Sequence, residues 1–164
     1  MTISQVKSRI INGLSHTLIF RVFLMYKFKP YEDFVEGEIC EVSQKITKES
    51  IHTFAEISGD RNPLHLDEEF AKKTRFKGTV AHGILTAGVV SALIVKMVGV
   101  GSIFLGANLR FTAPVRPGDT VTAHGEVVKK RLDKPILTLR TDCYNQDGTK
   151  VIEGECTVMV APQG

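Results

Sequence analysis

The sequence predicts an α+β fold in which an antiparallel sheet wraps one apolar helix, and three observations carry that prediction. Residues 83–98 are apolar nearly all the way round, the pattern of a helix with no wet face. Residues 102–111, 120–130, 135–144 and 149–160 alternate or run β-branched, as strands do. Turn residues separate those strands at Ala113-Pro114, Pro117-Gly118-Asp119, Asp133-Lys134-Pro135 and Asn145-Gln146-Asp147-Gly148. A fully apolar helix followed by four antiparallel strands must bury itself against the sheet those strands form.

Each element has its own signals. Residues 38–45 read as a short strand. Thr47 is placed to cap a helix, with Glu49 in its first turn. Ile51, Phe54, Ala55 and Ser58 then fall on one helical stripe that Gly59 ends. Asp67 is a second N-cap, opening a short helix over 68–73. In the apolar helix the uncharged run stops at Lys96 after about 13 residues, whereas crossing a bilayer takes about 20, so a buried helix is expected and not a membrane span. Ala87, Gly88 and Ala92 are small enough to let the sheet approach. Asp147-Gly148 suits a hairpin tip.

The 164 residues suit one domain with a leader. Lys and Arg total 21 against 18 Asp and Glu, but residues 1–31 hold five of the bases and no acid, leaving 16 against 18 in the body. That mildly acidic body gives no footprint for nucleic acid. Residues 1–31 also carry Ser4, Ser8, Ser15 and Thr17, with Ile10, Leu14 and Leu18 at four-residue spacing. This is the composition of a mitochondrial transit peptide, so 1–31 is expected to be a leader and 32–164 the domain. A secretory signal is the main competitor, but Arg21 interrupts the one candidate apolar stretch, Leu18 to Met25. An N-terminal helix packed on the domain is the remaining account, and a bacterial origin would make the protein cytoplasmic. Cys40, Cys143 and Cys156 are odd in number and unpaired in spacing, which fits a reducing compartment.

Chemistry concentrates in Asp60-Arg61-Asn62-Pro63-Leu64-His65, where a carboxylate and an imidazole stand five residues apart around a proline. On a continuous helix that offset would point them about 140° apart. Pro63 fixes its own φ, lacks an N–H and drives Asn62 towards extended geometry, so a turn is expected in place of a helix. A turn can carry Asp60 and His65 into one small volume, where sharing a water makes them a general acid–base pair. Each also has a plainer account: Asp60 as a cap on backbone amides, His65 as a half-buried turn residue. Gly83 opens the apolar helix, where the first N–H groups lack internal partners and the dipole favours an anion. It could equally be a packing glycine. His82 beside it joins Asp60 and His65 as a candidate metal ligand, but no H-E-x-x-H spacing supports a metal site, and no phosphate loop or G-x-S-x-G elbow is present. No metal or cofactor is expected.

The string from Ile57 through Asp67, followed by Phe76 and Ala81-His82-Gly83, resembles the signature of the R-specific (type 2) enoyl-CoA hydratases, or MaoC-like dehydratases. The resemblance continues through residues 101–106, Ala113-Pro114-Val115, Pro117-Gly118-Asp119 and residues 133–136, and so spans roughly 33–161. It implies a hot-dog fold with an overhanging loop-helix segment that carries the catalytic turn. It implies reversible addition of water to a trans-2-enoyl thioester, giving an R-3-hydroxyacyl thioester. Asp60 and His65 then match the catalytic dyad, and Gly83 the N–H donor to the thioester carbonyl. Ser91 matches a serine that orients the thioester or His65, although it could bond its own i−4 carbonyl. Asn62 would fix the turn, and Leu93 and Ile94 would line the acyl tunnel.

With a transit peptide ahead of the domain, the expected setting is the mitochondrial matrix. There the substrate would be an R-3-hydroxyacyl group on acyl carrier protein, dehydrated in fatty-acid synthesis. Hydration of CoA thioesters is the alternative, and a non-catalytic acyl-thioester-binding module is another. Lys129-Lys130-Arg131 is either a solvated hairpin end or a grip for a CoA phosphate or an acidic carrier. The wrapped sheet leaves exposed edges, so a homodimer is expected.

Overall fold

The computed structural model describes residues 29–161. Along the chain lie a 3-10 turn at Tyr31–Asp33, strand β1 (Ile39–Lys45), and helices α1 (Lys48–Ser58), α2 (Pro63–Leu66), α3 (Glu68–Lys72) and α4 (Gly83–Val98). Strands β2 (Ile103–Phe111), β3 (Thr120–Lys130), β4 (Ile136–Tyr144) and β5 (Lys150–Met159) follow. All pairs are antiparallel, and the five strands form one sheet in the order β1-β3-β4-β5-β2.

The leader expected over 1–31 lies outside the described residues up to position 28. Its last residues belong to the folded body. Lys29 pairs with Glu38 at 2.5 Å, and the Tyr31 hydroxyl donates to the Arg131 carbonyl at 2.6 Å.

The first helix forms as its sequence dictates. Thr47 Oγ1 accepts from the Ser50 N–H at 3.1 Å, and Ser50 Oγ accepts from the Thr47 N–H at 3.0 Å, a reciprocal cap. Gly59 ends the helix at φ 77°, a conformation that favours glycine. Ile51 and Ala55 are its buried face.

Helix α4 has the expected bounds, but it is not covered on every side. Val89, Val90, Leu93, Ile94 and Met97 are buried, whereas Ile84 is 65% exposed and Gly88, Ser91 and Ala92 are exposed beside it. A single sheet reaches only one face of a helix, and these four residues form one stripe on the other. Leu93 and Ile94, expected beside an acyl chain, are sealed in the core instead. The close approach to the sheet is also made elsewhere. A Cβ at Gly125 of β3 would meet Leu93 at 2.8 Å, while one at Gly88 would meet nothing within 4 Å. No helix among the described residues is long and apolar enough to cross a membrane.

Strand β2 is a sheet edge whose residues are nearly all exposed, including Ile103, Phe104, Leu105 and Phe111. Cys143 and Cys156 lie in the core, and burial pushes both thiols up to about 12. Cys40 is half-buried on β1. A thiol reagent at neutral pH should therefore label one cysteine of the native protein and all three after denaturation. Three equally fast thiols in the native state would contradict this packing.

Candidate active site

The Gly59 cap turns the chain out of α1 and into the segment that carries the acid and the imidazole. The Asp60 N–H donates to Ser58 Oγ at 3.2 Å, and Asp60 Oδ1 accepts from the Asn62 N–H at 3.2 Å. Asn62 Oδ1 in turn accepts from the Leu64 N–H at 3.0 Å. Pro63 then takes the first position of α2, where its missing N–H costs nothing. The expected non-helical turn is thus a single helical turn beginning at the proline. Asn62 is extended, with φ −55° and ψ 124°, so Asp60 stands outside that helix and the 140° offset does not apply.

His65 sits in the last turn of α2, half-buried, and its Nδ1 donates to the Val80 carbonyl at 2.8 Å. A carbonyl can only accept, so in the neutral ring the proton is on Nδ1 and Nε2 carries the lone pair. The ligand atoms of Asp60, His65 and His82 all lie within 4.8 Å of one another. Asp60 remains exposed, so the group opens to water on the carboxylate side.

His82, grouped with Asp60 and His65 from sequence only as an unsupported metal ligand, does join them, and its bond to the acid is what sequence reasoning missed. It is 2% exposed, its Nε2 donates to the Asp60 main-chain carbonyl at 3.0 Å, and its ring lies 3.9 Å from that of His65 at 32°. Its only sequence signal was adjacency to Gly83. Among the described residues, Asp60, His65 and His82 are the group that could jointly hold a metal ion. The same atoms suffice to hold a water.

Gly83 is the first residue of α4, and His82 gives that helix no side-chain cap. The first amides are therefore left for another partner. A Cβ on Gly83 would meet the Phe111 ring at 3.0 Å. Ser91 is not brought to the cluster: it is exposed and lies eight residues further on, roughly 12 Å along the helix axis. The His65 ring is oriented by Val80 and not by Ser91.

Lys130 is likewise not free to grip a phosphate. Its Nζ donates to the carbonyls of Glu32 and Phe34, while Arg131 pairs with Asp133 at 2.7 Å. Lys130 thus ties the amino-terminal turn to the β3–β4 hairpin, and the Arg131–Asp133 pair braces the hairpin connection itself.

Two further residues hold the loop ahead of α4. Arg116 donates to the carbonyls of Gly78 at 2.9 Å, Thr79 at 3.2 Å and Phe76. Glu68 accepts from the Thr79 N–H at 3.1 Å and hydroxyl at 3.0 Å, and these bonds, led by the backbone N–H, hold its carboxyl below the usual carboxylate range. A depressed carboxylate pKa gives stability above the unfolded pKa that is lost as pH falls through the folded one. Acid therefore releases this tie. Lysine cannot reproduce the guanidinium fork, so Arg116→Lys should cost about 2 kcal/mol in denaturant unfolding. An unchanged midpoint would contradict the role given to Arg116.

A cleft of about 100 Å³ borders His65, lined among others by His52, Leu66, Glu68 and Thr79. The larger cleft, about 670 Å³, lies on the sheet around His124, Arg140 and Tyr144 and touches none of the three cluster residues. The smaller one adjoins the chemistry, and it is too small for a long acyl chain.

Residues 36–143 match the MaoC like domain. The chain belongs to the MaoC-like family. It is 43% identical over 135 residues to the (R)-specific enoyl-CoA hydratase of Rhodospirillum rubrum, covering 82% of this chain and 93% of that one. It is 30% identical over 130 residues to the mitochondrial 3-hydroxyacyl-[acyl-carrier-protein] dehydratase of Arabidopsis thaliana, covering 76% of each. The unliganded R-hydratase PhaJ1 of Pseudomonas aeruginosa superposes with a TM-score of 0.76 at 40% identity, over 82% of this chain and 86% of the other. This MaoC-like chain therefore has the hot-dog fold, with α1 to α3 as the overhang above the sheet-wrapped helix.

Proposed function

We propose that the protein is a cofactor-independent hydro-lyase that interconverts trans-2-enoyl-CoA and R-3-hydroxyacyl-CoA. The observation that carries this reading is the convergence of Asp60 and His65 within 4.8 Å, next in space to the residue that precedes the Gly83 amide. A water held between the Asp60 carboxylate and His65 Nε2 is oriented for attack on C3 of the enoyl group. Its oxygen bonds to C3, the pair takes one of its protons, and a proton is returned to C2. Both transfers come from one pair, so both new bonds form on one face of the alkene. Negative charge builds on the thioester oxygen meanwhile, and in this reading the Gly83 N–H, at the positive end of α4, receives it.

Similarity favours the CoA substrate, since the chain is 43% identical to an enoyl-CoA hydratase and 30% identical to a carrier-protein dehydratase. The second reading, dehydration on acyl carrier protein in mitochondria, rests on the basic, acid-free leader. Purified full-length protein should consume four- to eight-carbon 2-enoyl-CoA faster than the same groups on carrier protein. The reverse order would favour the second reading, and no turnover of either would sink both.

A second copy completes the assembly in this proposal. The β2 edge, with Ile103, Phe104 and Leu105 exposed, and the open stripe of α4 are the surfaces it would cover. The small cleft at His65 fits a site whose acyl space lies between protomers. Light scattering should give twice the 18.1 kDa chain mass. A Leu105→Lys variant should shift towards monomer, and a fully active monomeric wild type would contradict the pairing.

A further inference from the structure

Four consecutive residues hold the parts of the site together. The Val80 carbonyl takes the proton of His65 Nδ1, and the Ala81 N–H donates to the Val115 carbonyl at 2.8 Å, which pins the segment. His82 Nε2 donates to the Asp60 carbonyl, and Gly83 starts α4 with its amide. Of these contacts, the one from His82 alone reaches the acid. We infer that His82 is a positioning residue that sets Asp60 in register with His65 and the Gly83 amide; this rests on the hydration reading above.

Packing alone does not account for an imidazole here. The ring lies against His65 at 3.9 Å and Phe54 at 4.9 Å, a place a phenylalanine would fill. Its Nδ1 is buried and unpartnered, a cost that phenylalanine would avoid. What only the imidazole supplies is the Nε2 proton on the Asp60 carbonyl. In the neutral ring that bond places the lone pair on Nδ1 and leaves the face stacked on His65 uncharged. Asp60 is exposed and its side chain is bonded only within its own turn, so the His82 bond to its main-chain carbonyl fixes the backbone from which the carboxylate projects.

Three substitutions separate the bond from the ring. His82→Phe keeps an aromatic ring and loses the donor. In His82→Gln the amide nitrogen reaches the position of Nε2, whereas in His82→Asn it falls one bond short. A shift of about 1 Å in a catalytic group can cost about 10²-fold. His82→Phe and His82→Asn should therefore lower kcat for 2-enoyl-CoA hydration about 10- to 100-fold, with KM near the wild-type value, and His82→Gln should recover most of the rate. Amide exchange over residues 60–65 reads the same bond without substrate: faster in the Phe and Asn variants, near wild type in Gln. If Phe does not fold, Asn against Gln decides. Wild-type exchange and kcat in Asn or Phe, or a Gln variant as impaired as Asn, would overturn the role of His82. A wild type that hydrates nothing would overturn the functional reading alone, because the exchange pattern still tests the positioning.

Discussion

Asp60→Asn should lower the rate of hydration by about 10²–10⁴-fold while leaving the melting temperature nearly unchanged. The amide has the shape of the carboxylate and can still accept from the Asn62 N–H, so the turn survives. What is lost is the anion that, in the proposed reaction, orients the water and accepts its proton. Asp60 is exposed, which keeps the effect on stability small. In the proposed reaction Asp60 and His65 act on one water, so adding His65→Gln to Asp60→Asn should cost little more, as in other groups that act as a unit. A single variant within tenfold of wild type, or fully additive losses, would remove Asp60 from the chemistry.

The second large effect is expected at Gly83, where two substitutions isolate the backbone donor. Gly83 is the first helical residue of α4, a position that accepts proline, and His82 before it has φ −60° and ψ 132°, which proline tolerates. Gly83→Pro therefore deletes the N–H with little disturbance of the helix. Gly83→Ala keeps the N–H and adds the same Cβ, which meets the half-exposed Phe111 ring at 3.0 Å in either case. The proline variant should turn over about 10²–10³-fold more slowly than the alanine variant, the usual cost of losing one oxyanion donor. Equal rates would move the oxyanion site away from this amide.

Much of this architecture was legible because local signals and burial agreed. Thr47 and Gly59 bound α1 through short-range hydrogen bonds that a sequence states directly, and β3 has the bounds its alternation predicts. The course of the chain at Pro63 was half legible. The proline does push Asn62 into extended geometry, but it then starts a helical turn where it was expected to prevent one. Long-range contacts were hidden. His82 lies 17 residues from His65 and 22 from Asp60, and Arg116 reaches back nearly 40 residues to the loop at Phe76–Thr79. Nothing in periodicity encodes those separations. The exposed stripe of α4 escaped notice for another reason: hydropathy counts Ile84, Gly88 and Ala92 as apolar whether a sheet or a second protomer covers them. Ser91, placed by resemblance alone, stands on that stripe.

Hydration of a trans-2-enoyl-CoA in deuterium oxide, with the product resolved by NMR, asks most directly whether one acid–imidazole pair serves both carbons. One acid–imidazole pair at Asp60 and His65 predicts a single diastereomer with deuterium at C2 on the face that carries the new hydroxyl, and the proposed reaction makes C3 of R configuration. Deuterium on the opposite face, or on both, would require a second proton donor across the alkene and would contradict this account of the site.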